Sequence, residues 1–335
     1  MPLFDSLRWD TIWVVRHSAL FALSAILERL SPAQRRTVAL ETVVALSADK
    51  HATVRCGVLE CLGEVLYTFA DDDGGPPAQL IQLFLGRKDD KNVRVGQKQT
   101  FTSLHSALLS MKAQNTVTPL ESFYKQEKRP LICAFNFPAI VLTLGAERWS
   151  EVRENYLDLV QNPNVNVSRT LAASVGEIAK VIGAENAKED LVEVWRGFLR
   201  SYESDVRMKA LEGVADLMKV VVSVGGIKAG RDMVDEVGKV WKEDMFRGWR
   251  ERECVQRRLV SWFRVVYDHG WVDKETIAIF RDLLLKGLED SAANIREAAI
   301  ASVSPFLLIV CSTKKNLMAY CRFRNYGRFV HPALK

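Results

Sequence analysis

The sequence predicts an all-α protein in which helix pairs stack into an extended α-solenoid. Three observations predict it. A β-branched residue followed by arginine recurs at Val15-Arg16, Val54-Arg55, Val93-Arg94, Val206-Arg207 and Ile295-Arg296, and the first two intervals are both 39 residues. Forward of these anchors, apolar residues recur at the spacing of one face of a 3.6-residue helix. No stretch alternates with the period of two that a strand requires.

The helical stripe is clearest from five anchors. From Val15 it runs Ala19, Leu20, Leu23, Ile26, Leu27, Leu30; from Val54, Val58, Leu59, Leu62, Val65, Leu66, Phe69. From Val167 it runs Leu171, Ala172, Val175, Ile178, Ala179, Ile182; from Val206, Ala210, Leu211, Val214, Leu217, Met218, Val221. From Ile295 it runs Ala299, Ile300, Val303, Phe306, Leu307, Val310. Even spacing places the further anchors at 130, 167 and 255, so the eight lie at 15, 54, 93, 130, 167, 206, 255 and 295. From Pro130 the stripe includes Phe135 and Leu142, and Pro138 predicts a kink. From Val93 only Phe101, Leu104 and Leu108 are apolar. Between these helices lie shorter amphipathic segments at Pro32–Leu46, Pro77–Leu85, Trp149–Val160, Ala187–Leu199 and Lys274–Leu288. Each unit therefore reads as helix A, a tight polar turn, then helix B.

Two helices in about 40 residues is the HEAT/armadillo period, so the array reads as about eight repeats in a right-handed superhelix. The longest interval, 49 residues, places a glycine-rich inter-repeat loop at Val222–Gly230. The first unit has too few residues before Trp13 for a full helix A. The array is expected over residues 1–311, followed by a basic tail over 312–335 that loses the periodicity.

Charge separates the same two regions. The net charge is +5, and the tail carries +6 through Lys314, Lys315, Arg322, Arg324, Arg328 and Lys335, leaving the body near neutral. A neutral body argues against a nucleic-acid-binding face, so nucleic acid is not an expected partner. The tail's Tyr320, Phe323, Tyr326 and Phe329 read as an atypical terminus rather than a strand-stacking platform. The longest uncharged run, Pro130–Ala146, is 17 residues with Asn136 and Pro138 inside, which predicts no membrane segment. The six cysteines include no CxxC and read as reduced thiols. The five histidines are dispersed, and no GxxxxGK[ST], GxGxxG, GxSxG or HExxH occurs. No catalytic residue, metal site or cofactor is expected, and the protein reads as a non-enzyme. The recurrent arginines read as a structural ladder, with Asp49, Asp90 and Asp205 as turn caps and partners.

A resemblance sharpens this. Asn136-Phe137-Pro138-Ala139, Thr143-Leu144-Gly145 with Arg148-Trp149, and Arg169-Thr170-Leu171-Ala172-Ala173-Ser174 resemble the HEAT repeats of the phosphatase 4 regulatory subunit 1 group. Wider relatives are the scaffold subunits of phosphatase 2A. The resemblance is specific over Arg129–Val221. It implies a non-catalytic scaffold or regulatory subunit of a PP2A/PP4-type serine/threonine phosphatase. The implied partners are its catalytic subunit and a further regulatory subunit, and the implied location is the cytoplasm and also the nucleus. In such proteins the turns between helices A and B grip the partner. Those turns are Ser47–His51, Arg87–Asn92, Gln161–Asn166, Ser201–Asp205, Met245–Arg250 and Glu289–Asn294, with Asp49, Asp90, Asn164, Tyr202, Asp205, Trp249, Arg250 and Asn294 as candidate contacts. Exposed aromatics and arginine are the expected hot spots. The alternatives are a general adaptor or transport carrier and, more remotely, a nucleic-acid repair enzyme on HEAT-like repeats.

Overall fold

The structure, a computed structural model, describes residues 2–86, 118–270 and 272–312. The described residues are all-α, with no strand among them. The chain divides into two compact units, Met1–Leu159 and Val160–Lys335.

In the first unit, α1 (Pro2–Arg8) is the stunted helix A of the opening pair. Next come α2 (Trp13–Leu27), α3 (Pro32–Ser47), α4 (Ala52–Tyr67) and α5 (Ala78–Leu85), and after the break α6 (Pro119–Tyr124), α7 (Arg129–Leu144) and α8 (Trp149–Val160). Ser31 opens α3 with a capping box closed by Gln34, and Pro32 fits the first turn, where no N–H is needed. The B helices α2, α4 and α7 pack side by side, and α3 and α5 lie against α4. The stripe of α4 is fully inside, from Val58 to Phe69. Arg129 links three elements: it donates to the carbonyls of Leu83 and Phe84 and lies over the rings of Phe123 and Tyr124, at 5.1 and 5.2 Å.

In the second unit, α9 (Val165–Ile182) precedes a short turn and a π-helical turn at Ala187–Leu191 that leads into α10 (Val192–Leu199). Then follow α11 (Ser204–Lys242), α12 (Trp249–Asp268), α13 (Lys274–Leu288) and α14 (Ala293–Ser312). The B layer runs α9, the first arm of α11, α12 and α14, each packed on the next. All six stripe positions of α9 and of α11 are buried. α14 is long and apolar enough to cross a membrane by length and composition alone. Here its Phe306 packs on Phe263 of α12, and Ser302 donates to the carbonyl of Gln256, as a core helix would.

Four sequence expectations need correction. The stripe of α7 starts from Arg129, not Pro130: Cys133, Ala134, Phe137, Ile140, Val141 and Leu144 are buried, whereas Phe135 and Leu142 are exposed. The stripe of α12 starts from Glu251, not Val255, and buries Val255, Gln256, Leu259, Trp262, Phe263 and Val266. Both errors come from interpolating a constant spacing between units whose connections differ in length. No loop separates the repeats at Val222–Gly230; the helix continues and breaks only at Gly226, whose φ of 62° suits glycine. Helix α7 is continuous through Pro138, and a sharp bend follows at Gly145, where α7 meets the segment Ala146–Val160 at 115°. On the terminal helix, Ile300 of the predicted stripe is 44% exposed. The Val93 helix, Asp90, the Arg87–Asn92 turn and the basic tail from Thr313 lie outside the described residues.

Candidate partner-binding surface

The A–B turns are built by one repeated device. In five of the described B helices, α2, α4, α11, α12 and α14, an early arginine donates through Nη1 to the carbonyls six and five residues before it. Arg16 bonds Asp10 and Thr11, and Arg55 bonds Asp49 and Lys50. Arg207 bonds Ser201 and Tyr202, Arg252 bonds Phe246 and Arg247, and Arg296 bonds Asp290 and Ser291, all at 2.6–3.0 Å. These carbonyls belong to the turn that follows the preceding helix, where no helical N–H reaches them. At the sixth position a polar side chain closes the turn by accepting the N–H two residues on, as Asp10, Asp49, Asn162, Ser201 and Asp290 all do.

The same arginines tie one turn to the next. Arg16 holds both carboxylate oxygens of Asp49, at 2.7 and 2.9 Å. Arg252 holds Asp290 in the same way, at 2.7 and 3.3 Å. Arg207 reaches Glu251 at 2.6 Å, and this carboxylate, fully buried, also accepts the Gly248 N–H. Burial alone would push the Asp49 and Asp290 carboxyls up. The arginines and the turn N–H groups outweigh it and hold both below the usual aspartate value.

The predicted ladder is therefore real, but its acids are Asp49, Glu251 and Asp290. Asp205 is not one of them; exposed, it faces the exposed Arg169 at 3.7 Å. The rung that spacing from Val255 concealed is Arg252. Its signal was an arginine six residues after the turn.

With the turn backbone fixed, its side chains point outward. Tyr202 is 98% exposed although its carbonyl is held by Arg207. Trp249 is 43% exposed, with the Arg250 guanidinium 4.8 Å from its ring. Asn164 is exposed and caps α9 by accepting the Asn166 N–H. Asn294 is half-buried. Asp49 is occupied by Arg16 and the His51 N–H, so it serves the turn itself. The chemistry on offer is therefore a surface of turns. Among the described residues no group of three His, Cys, Asp or Glu could hold a metal. Burial pushes the Cys61 thiol up to about 12 and Cys133 up to about 11, so both stay protonated.

The described residues are thus all-helical, with ladder-braced turns that leave Tyr202 and Trp249 exposed. The comparisons with known proteins point to one family. Residues 133–226 match the family described as protein phosphatase 4 regulatory subunit 1 middle domain. Serine/threonine-protein phosphatase 4 regulatory subunit 1 of Homo sapiens is 31% identical over 142 residues, covering 41% of this chain and 14% of that protein. The Mus musculus protein matches to the same extent. Regulatory subunit 4 of Homo sapiens is 23% identical over 218 residues, covering 55% of this chain and 25% of that protein. An engineered protein of known structure aligns over 92% of this chain with 15% identity and a TM-score of 0.28. The chain is homologous to phosphatase 4 regulatory subunits 1 and 4, which are non-catalytic, and spans about a seventh of the first.

Proposed function

We propose that this chain is a regulatory subunit that binds the catalytic subunit of a phosphatase 4-type serine/threonine phosphatase and modulates its activity or targeting. Binding runs through the A–B turns of the second unit, and the protein works in the cytoplasm and also the nucleus. The match of residues 133–226 to the phosphatase 4 regulatory subunit 1 middle domain supports this reading. The observation that carries the reading is the ladder. It holds Tyr202, Trp249 and Arg250 on a fixed backbone, and preordered aromatic and arginine side chains contribute disproportionately to interfaces.

The test is binding of the full chain to purified phosphatase 4 catalytic subunit by interferometry. Alanine at Tyr202, Trp249 and Arg250 together is expected to weaken binding at least about tenfold, with the helical circular dichroism unchanged. If the intact chain binds no catalytic subunit, the reading gives way to a general adaptor or carrier.

A further inference from the structure

We infer that the first unit carries a second docking site, a groove for a short segment of a partner protein in which an apolar side chain is flanked by lysine or arginine. This goes beyond phosphatase binding and rests on other residues. The groove lies across the exposed faces of α2, α4 and α7 and has a volume of about 330 Å³. Ser24 and Glu28 come from α2, Glu64 and Tyr67 from α4, and Leu142 from α7, above Asn136.

Two features define its occupant. The first is apolar surface that folding leaves uncovered. Tyr67 is 49% exposed and Leu142 54%, and Phe135, two turns before Leu142 on the same face, is 75% exposed. These side chains sit off the buried stripes, so the core does not use them, and clustered exposure of this kind marks an interaction surface. The second is charge. No lysine or arginine lines the groove. Among the described residues Glu28 and Glu64 form no ion pair; Glu64 accepts a bond from the Ser24 hydroxyl at 3.2 Å. Two carboxylates beside the exposed Tyr67 and Leu142 match a cation next to an aliphatic or aromatic side chain.

The floor is preformed. Asn136 donates to the carbonyl of Ile132 and packs on Gly63, where a side chain would overlap its amide. The groove is an open surface that would not enclose a small molecule, and it suits the side chains of a docked segment. The occupant is therefore a peptide segment of a partner.

A display library of random peptides about twelve residues long, panned on the full chain and counter-selected on Glu28→Lys/Glu64→Lys, tests this. Enriched peptides are expected to place Arg or Lys within about three positions of a Leu, Ile, Phe or Tyr, one helical turn. A synthetic consensus peptide should lose at least about tenfold in affinity on the double lysine variant and on Tyr67→Ala/Leu142→Ala, with dichroism unchanged. The same peptide with glutamate for arginine should regain binding to the double lysine variant. The Tyr202→Ala/Trp249→Ala/Arg250→Ala variant should bind the peptide normally, which separates this site from the phosphatase surface. No enrichment over the counter-selecting variant, or equal binding to all variants, overturns the proposal. So does an affinity gain of about tenfold on removing residues 313–335, because the chain's own C-terminal residues would then be the occupant.

Discussion

Glu251 has no exposed surface, and Arg207 is its cation at 2.6 Å. Replacing Arg207 by methionine strands a buried carboxylate, and removing one partner of such a pair costs about 3–5 kcal/mol. The urea midpoint of Arg207→Met should fall accordingly, and Arg207→Met/Glu251→Met should recover part of the loss, because an apolar pair strands no charge while the Ser201 and Tyr202 carbonyls and the Gly248 N–H still lose their partners. The carboxylates of Asp49 and Asp290 make stability depend on pH. Each has a folded pKa below its ordinary value of 3.8. Their contribution is therefore complete above that value and is lost as pH falls through the lower folded one. Urea unfolding at pH 5 and pH 3 should show the drop, and Asp290→Asn should shrink it.

Glycines set how closely some elements approach. A side chain at Gly287 on α13 would overlap Gln256 of α12, which is buried and donates to the carbonyl of Leu283 at 2.8 Å. Gly287→Ala must push that amide off its acceptor, and overpacking of this kind costs about 1–3 kcal/mol. A thermal melt with a lowered midpoint checks it. Gly226 acts through its backbone instead. Nothing lies within 4 Å of where a side-chain carbon would sit there, so alanine is opposed only by the φ of 62°. With ψ at −169° this is a backbone region only glycine adopts readily, so Gly226→Ala should cost about 1–3 kcal/mol. An unchanged melting midpoint in Gly226→Ala would contradict this account of the α11 bend.

For the molecule as a whole, the ladder separates stability from recognition. Arg252 joins the carbonyls of Phe246 and Arg247 to the carboxylate of Asp290 and is mostly buried. Trp249 and Arg250, three and two residues earlier, are exposed. Arg252→Ala should lower the melting temperature, while Trp249→Ala/Arg250→Ala should leave it within a few degrees and still weaken phosphatase binding, since surface changes away from special features are nearly neutral. A melting temperature that falls as far in the second variant as in the first would place Trp249 in the core.

The sequence by itself determined where most of the described helices lie and, from the anchors Val54, Val167 and Val206, which of their faces are inside. The 3.6-residue stripe is local, so Trp149–Val160 and Lys274–Leu288 match the observed helices end to end. It also marked Val167 and Val206 as anchors whose whole stripes are buried, and the turns that display Tyr202 and Trp249. Only the tertiary structure decided the rest. The offsets at Arg129 and Glu251 depend on connection lengths that no local period carries. The break at Gly226 depends on how far α11 could run before the next turn, which glycine content alone did not reveal. The ladder's partners lie 33, 38 and 44 residues apart in sequence. An arginine meets its acid only when neighbouring turns are stacked, so Asp49, Glu251 and Asp290 could be told from the exposed Asp205 only in three dimensions.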